Sequence, residues 1–139
     1  MESQDRRELG RVLARTWTEA KLTQVLLAKA RVTLRGSVVL KINDHSTSGI
    51  PDAAITWNGR TCWIEVKYAN PGFKSTGIQE LTCCRLALAG RCVYVVYDGP
   101  HNTVSIIAPQ DIGRWREVGQ RTDGLDHAWI VERIRELLA

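Results

Sequence analysis

The chain has few of the residues that staple a fold or carry it across a membrane. Its four cysteines, Cys62, Cys83, Cys84 and Cys92, include no CxxC pair, so thiols of a reducing compartment are expected rather than a disulfide framework. Adjacent Cys83 and Cys84 on a helix would point about 100° apart. His45 and His101 lack paired ligand spacing, which leaves a zinc site unsupported. No apolar run exceeds a few residues, and Met1-Glu2-Ser3-Gln4-Asp5-Arg6-Arg7 has none behind it. Neither a membrane span nor a signal peptide is therefore expected, and the predicted location is cytoplasmic. Repeats, low-complexity tracts and long linkers are missing too, as are a recognition helix, an RNP aromatic pair and a zinc finger, so sequence-specific nucleic-acid reading is not expected.

What is present is a chain of 139 residues, 44% of them apolar, the size of one domain whose core needs no staple. Nineteen Lys and Arg face fifteen Asp and Glu, for a net charge of +4. That excess permits an anionic partner without demanding one.

The apolar spacing predicts helices before Gly36, first through Leu9, Val12 and Leu13 and then through Leu22, Val25 and Leu26. The period then shortens. Ser37 to Ile42 reads as a strand and Asn43 to Gly49 as a polar loop. Ala53 to Trp57 and Thr61 to Lys67, joined by Asn58-Gly59, read as a hairpin with a two-residue type I′ turn. A helix from about Thr76 to Ala89 stops at Gly90. Strands at 91–97 and 103–107 follow, then a C-terminal helix from Asp126 to Leu138. The expected order is α-β-β-β-α-β-β-α, a mixed α+β sheet flanked by helices.

A two-residue turn at Asn58-Gly59 places Trp57 opposite Arg60 and, counting back along both strands, Asp52 opposite Glu65. Side-chain alternation then puts Asp52, Ala54, Thr56, Thr61, Trp63, Glu65 and Lys67 on one face, and Ala53, Ile55, Trp57, Cys62, Ile64 and Val66 on the core face. Opposed carboxylates repel by about 0.2–1 kcal/mol even when exposed. A divalent cation held by both, completed by waters as magnesium prefers, offsets that repulsion. Lys67 lies two residues along, where an ammonium can orient a water and stabilise developing phosphorane charge. A surface Glu-Lys pair with an unrelated aspartate is the competing account of the same residues.

Ile50-Pro51-Asp52 followed by Ile64-Glu65-Val66-Lys67 resembles the PD-(D/E)xK nuclease superfamily. Gly49 before that segment, Gln79 opening the next helix and the run from Leu88 to Val96 resemble its VRR-NUC branch, and Holliday junction resolvases nearly as well. The likeness covers about 19–107 of a single domain, leaving 108–139 as a C-terminal extension and a candidate dimer element. The resemblance implies a restriction-endonuclease-like core and a magnesium-dependent phosphodiesterase, manganese substituting. Asp52, Glu65 and a helix acid mapping to Glu19 would hold metal, with the Val66 carbonyl as a further ligand, Lys67 assisting the water and Gln79 near the scissile phosphate. Glu19 begins the stripe of Leu22 and Leu26; a capping box, Thr16-Trp17-Thr18-Glu19, is the alternative for it, as Thr76-Gly77-Ile78-Gln79 is for Gln79.

Substrate contacts are expected from Lys41, His45, Ser48, Tyr68 and Lys74, which border the hairpin's acidic end and suit phosphate binding. A basic run, Arg6, Arg7, Arg11 and Arg15, is a solvated helix face or a further contact. Trp63 is expected beneath the first helix. The expected activity is a DNA endonuclease, structure-specific for a Holliday junction, flap or nick and acting as a homodimer. A non-catalytic DNA-binding or assembly module with a nuclease fold is the alternative.

Overall fold

Thr18, extended at φ −123°, caps helix α1 (Glu19–Thr33) by accepting a hydrogen bond from the Lys21 amide at 3.1 Å, which satisfies one of the amides a helix leaves free at its start. The computed structural model describes residues 17–42, 49–69, 77–111 and 113–139. The expected earlier helix through Leu9, Val12 and Leu13 and the basic run from Arg6 to Arg15 lie outside them. Leu22, Leu26, Leu27 and Ala30 form the buried stripe of α1, at the three- and four-residue spacing that keeps side chains on one helix face.

Strands β1 (Val38–Lys41), β2 (Ala53–Trp57) and β3 (Arg60–Ala69) form an antiparallel meander. Helix α2 (Gly77–Ala89) then crosses to β4 (Arg91–Asp98), which runs parallel to β3. Antiparallel β5 (Thr103–Asp111) and β6 (Arg114–Arg121) complete a six-stranded sheet ordered β1-β2-β3-β4-β5-β6, and α3 (His127–Leu138) closes the described chain. The fold is α+β with a mixed sheet, as expected.

Strand alternation divides the core in two. Ile55, Ile64, Val66, Val95 and Ile106 point to the face covered by α1 and by Ile130, Val131, Ile134 and Leu138 of α3. Cys92, Tyr94, Val96 and Ala69 point the other way and pack with Cys83 of α2. Trp63 belongs to this second layer, not beneath the first helix, because its odd position in β3 sends it away from α1. All four cysteines are free and buried.

One strand exceeds the expected order. β6 reads Arg-Trp-Arg-Glu-Val-Gly-Gln-Arg, which has too little apolar alternation to announce a strand, because it is an edge whose charges face water. A register shift between Ile106 and Ile107 accommodates it. Gly119 there lets the Trp129 ring approach to where a Cβ would lie 3.4 Å away. The 108–139 segment thus supplies the end of β5, the sixth strand and a core helix. At the hairpin turn Asn58 and Gly59 have φ of +56° and +73°, as a type I′ turn requires.

Candidate active site

The hairpin register is the expected one: Ala53 faces Ile64 and Trp57 faces Arg60. One step past Ala53, the Asp52 carbonyl still accepts the Ile42 amide at 2.8 Å, which ties it to the end of β1. Its carboxylate turns to β3 and accepts the Val66 amide through Oδ2 at 3.0 Å. That bond fixes Asp52 against the backbone of the residue following Glu65.

Glu65 is 3% exposed. Its Oε2 is buried and finds no donor among the described residues. Burial, then the neighbouring Asp52, push its carboxyl up to about 9, while Lys67 pulls the other way. A carboxyl raised that far holds its proton at neutral pH. Lys67 Nζ stands 3.9 Å from Glu65 Oε1, at the limit of an ion pair, with 19% of its side chain exposed. The contact is ionic only once Glu65 is deprotonated.

A layer of thiols and a phenol lies beneath the carboxylates, and sequence reasoning did not place it there. Tyr94 is the β4 partner of Glu65, Cys92 that of Trp63. Cys83 is lowered to about 7, chiefly by a hydrogen bond with Cys92 and further by Tyr94 and Lys67, against the effect of burial. Cys92 is raised, first by Cys83 and then by burial. The signal available was register alone: extending the β3 numbering onto a parallel β4 places Tyr94 beside Glu65.

Glu19 reaches from the start of the first helix to the end of β3. Thr18, not Thr16, caps the helix, and Glu19 Oε1 accepts the Tyr68 amide at 3.1 Å. The first helix is thereby pinned to the end of β3 just past Lys67. No group of three or more His, Cys, Asp or Glu is arranged to hold a metal among the described residues. Gln79 is brought near through Gly49. At φ +77°, a Cβ on Gly49 would lie 2.8 Å from the Ile78 carbonyl and 2.9 Å from the Gln79 Cα. The segment leading to Asp52 therefore packs directly on the first turn of α2. Tyr68 contributes its amide to Glu19 and stacks edge-on against Tyr97 at 6.0 Å. Lys41 is exposed on β1. His45, Ser48, Lys74 and Thr76 lie outside the described residues.

The donor set suits a hard divalent cation. It consists of two carboxylate side chains, one with a donorless buried oxygen and a strong residual affinity for a proton, beside an ammonium. Oxygen ligands of this kind, with waters completing the shell, suit magnesium.

No family model matches the chain, and no curated protein matches it. Among solved structures, a VRR_NUC domain is 26% identical, with 58% of this chain and 85% of that one covered at a TM-score of 0.46. The chain is similar to a VRR_NUC domain. The solved protein SSO0001 is 18% identical, covering 86% of this chain and 59% of that one at a TM-score of 0.27. The chemistry rests on the site itself: a β-hairpin that forces two carboxylates together, with a lysine along the same strand. No helix among the described residues is long and apolar enough to cross a membrane.

Proposed function

We propose that the protein is a magnesium-dependent DNA endonuclease. The observation that carries this reading is the Asp52 and Glu65 pair, one oxygen of which is buried without a donor, beside Lys67. Asp52 and Glu65 would hold the cation, with the Val66 carbonyl as a further oxygen ligand and Glu19 as an acid bordering the site. Bound there, magnesium, or manganese in its place, supplies Lewis acidity and neutralises phosphate charge.

The chain's own residues do the rest. The Val66 amide holds Asp52 in one orientation, and burial keeps Glu65 from turning to solvent. Lys67 directs its ammonium hydrogens to the attacking water and to the extra negative charge that builds on the phosphoryl oxygens. Gln79, held by the Gly49 contact, positions the phosphate. Hydrolysis forms one phosphorus–oxygen bond from water and breaks one to the leaving nucleotide oxygen.

The substrate is structured DNA, a Holliday junction, flap or nick, cut by a homodimer whose two-fold axis matches a junction's paired strands. Incubating labelled junction, flap, nicked and single-stranded DNA with magnesium should give discrete products that chelator abolishes. Asp52→Ala should remove cleavage, and Lys67→Ala should lower it by roughly 10²–10³-fold. Undiminished cutting by either variant would sink the assignment. Light scattering that finds only monomer would shift the substrate from junctions to flaps or nicks.

A further inference from the structure

The groove between α1 and the edge strand β1 has no role in the site described so far. Its volume is about 670 Å³, and Thr18, Lys21, Gln24, Arg31 and Lys41 supply its polar lining, with Ala20 and Leu27 as its apolar wall. Lys21, Gln24 and Arg31 fall at i, i+3 and i+10, a single stripe of the helix. Lys41 faces the same groove. It pairs with Ala53 as Val39 pairs with Ile55, and Ala53 and Ile55 both point to the α1 side of the sheet. Among the described residues, three cations line the groove and no carboxylate does. Glu19, the nearest acid along the helix, is turned to the Tyr68 amide.

The groove lies on the α1 side of the sheet, opposite the face that carries Glu65 and Lys67, and is joined to the site's backbone at two points. Lys41 is one residue before Ile42, whose amide binds the Asp52 carbonyl. Thr18 and Lys21 flank Glu19, which is bonded to the end of β3. From Lys21 to Arg31 the helix rises about 15 Å, the length of several nucleotides along one strand of a duplex.

We infer that this groove binds the phosphate backbone of DNA leading out of the active site, with Lys21, Arg31 and Lys41 as the charge contacts and Thr18 and Gln24 as neutral donors. The inference rests on the endonuclease reading for its ligand class, but it concerns binding alone. Contacts of this type position a duplex without reading its sequence.

The test is fluorescence anisotropy of a labelled 20-base-pair duplex titrated at several salt concentrations in chelator, where no cutting intervenes. Lys21→Ser/Arg31→Ser should weaken binding about tenfold and make the slope of log affinity against log salt shallower by about 1–2. Arg85→Ser/Arg114→Ser removes two exposed cations elsewhere and should leave the slope near that of the unsubstituted chain. An unchanged slope in the groove variant, an equal change in the control, or no salt-dependent binding by the unsubstituted chain would each overturn the inference. Cleavage by the unsubstituted chain in magnesium judges the endonuclease reading separately, and melting temperatures of both variants confirm that they are folded.

Discussion

Glu65 makes the stability of the metal-free protein depend on pH with a sign opposite to that of a salt-bridged carboxylate. Its folded value of about 9 lies above the ordinary 4.5, so between those values the folded state holds a proton that the unfolded state has released. Stability is fully present below about pH 4.5 and falls as pH rises toward 9. Glu65→Gln removes the ionisable group while keeping its shape. In chelator at pH 8 the variant should melt several degrees higher than the unsubstituted chain, since about 1 kcal/mol is worth roughly 2–8 °C in domains of this size. Its melting temperature should also vary less between pH 5 and 9, and its magnesium response should vanish. Calorimetry across that range checks all three. The residues of this centre were legible in the sequence because hairpin register is arithmetic once Asn58-Gly59 fixes the turn. The role of Glu19 was less so: a helix acid's reach depends on where the helix meets the sheet, and its bond to the Tyr68 amide spans 49 positions.

At the level of elements, two short segments hold the site's parts in place. Gly49 combines a left-handed φ with backbone contact on α2. Gly49→Ala should therefore cost roughly 1–2 kcal/mol from the dihedral alone and more from pushing the Gln79 turn away. The urea midpoint should fall, and cleavage should drop further than the loss of folded protein explains. The hairpin turn has a second duty. Asn58 Nδ2 donates to the Leu138 carbonyl at 3.1 Å, and Arg60 donates to the Leu138 and Ala139 carbonyls, so the turn closes the end of α3. Asn58→Gly retains the φ and loses the bond, costing about 0.5–1.5 kcal/mol; Asn58→Ala loses both and should be the less stable of the two by chemical denaturation. Strands buried on both faces, such as β4, were legible from continuous apolar runs. β6 was not, because its pairing partner rather than its own pattern makes it a strand. The layer holding Trp63 was misplaced for a related reason: alternation gives its face of the sheet but not which helix covers that face.

For the whole molecule, the proposed cation would compete with the proton on Glu65. Magnesium at a hundredfold excess over its dissociation constant at pH 8 should stabilise the fold by about 2.7 kcal/mol, and the same concentration should stabilise it less at pH 6, where the proton on Glu65 is harder to displace. Thermal unfolding with and without magnesium at both pH values reads the difference, and an equal shift at both would count against a Glu65 ligand. Overall composition showed only a mild basic excess; the sheet and helices sort it, with the acids that matter inside and cations such as Lys21, Arg31 and Lys41 in a groove outside.

The sheet is laid down in chain order, and β3 with β4 is its parallel pair, joined through α2. Antiparallel neighbours can zip from tight turns, whereas a parallel pair must wait for its crossover segment to fold back. Glu65, Lys67, Tyr94 and Cys83 all belong to that seam or its crossover helix. A growing or partly unfolded chain that has made only its local hairpins therefore owns Asp52 and Glu65 without the burial that gives them their chemistry. Hydrogen exchange should find the amides of β3 and β4 protected together and last, so that the burial of Glu65 is complete only at the moment the chain's folding is complete.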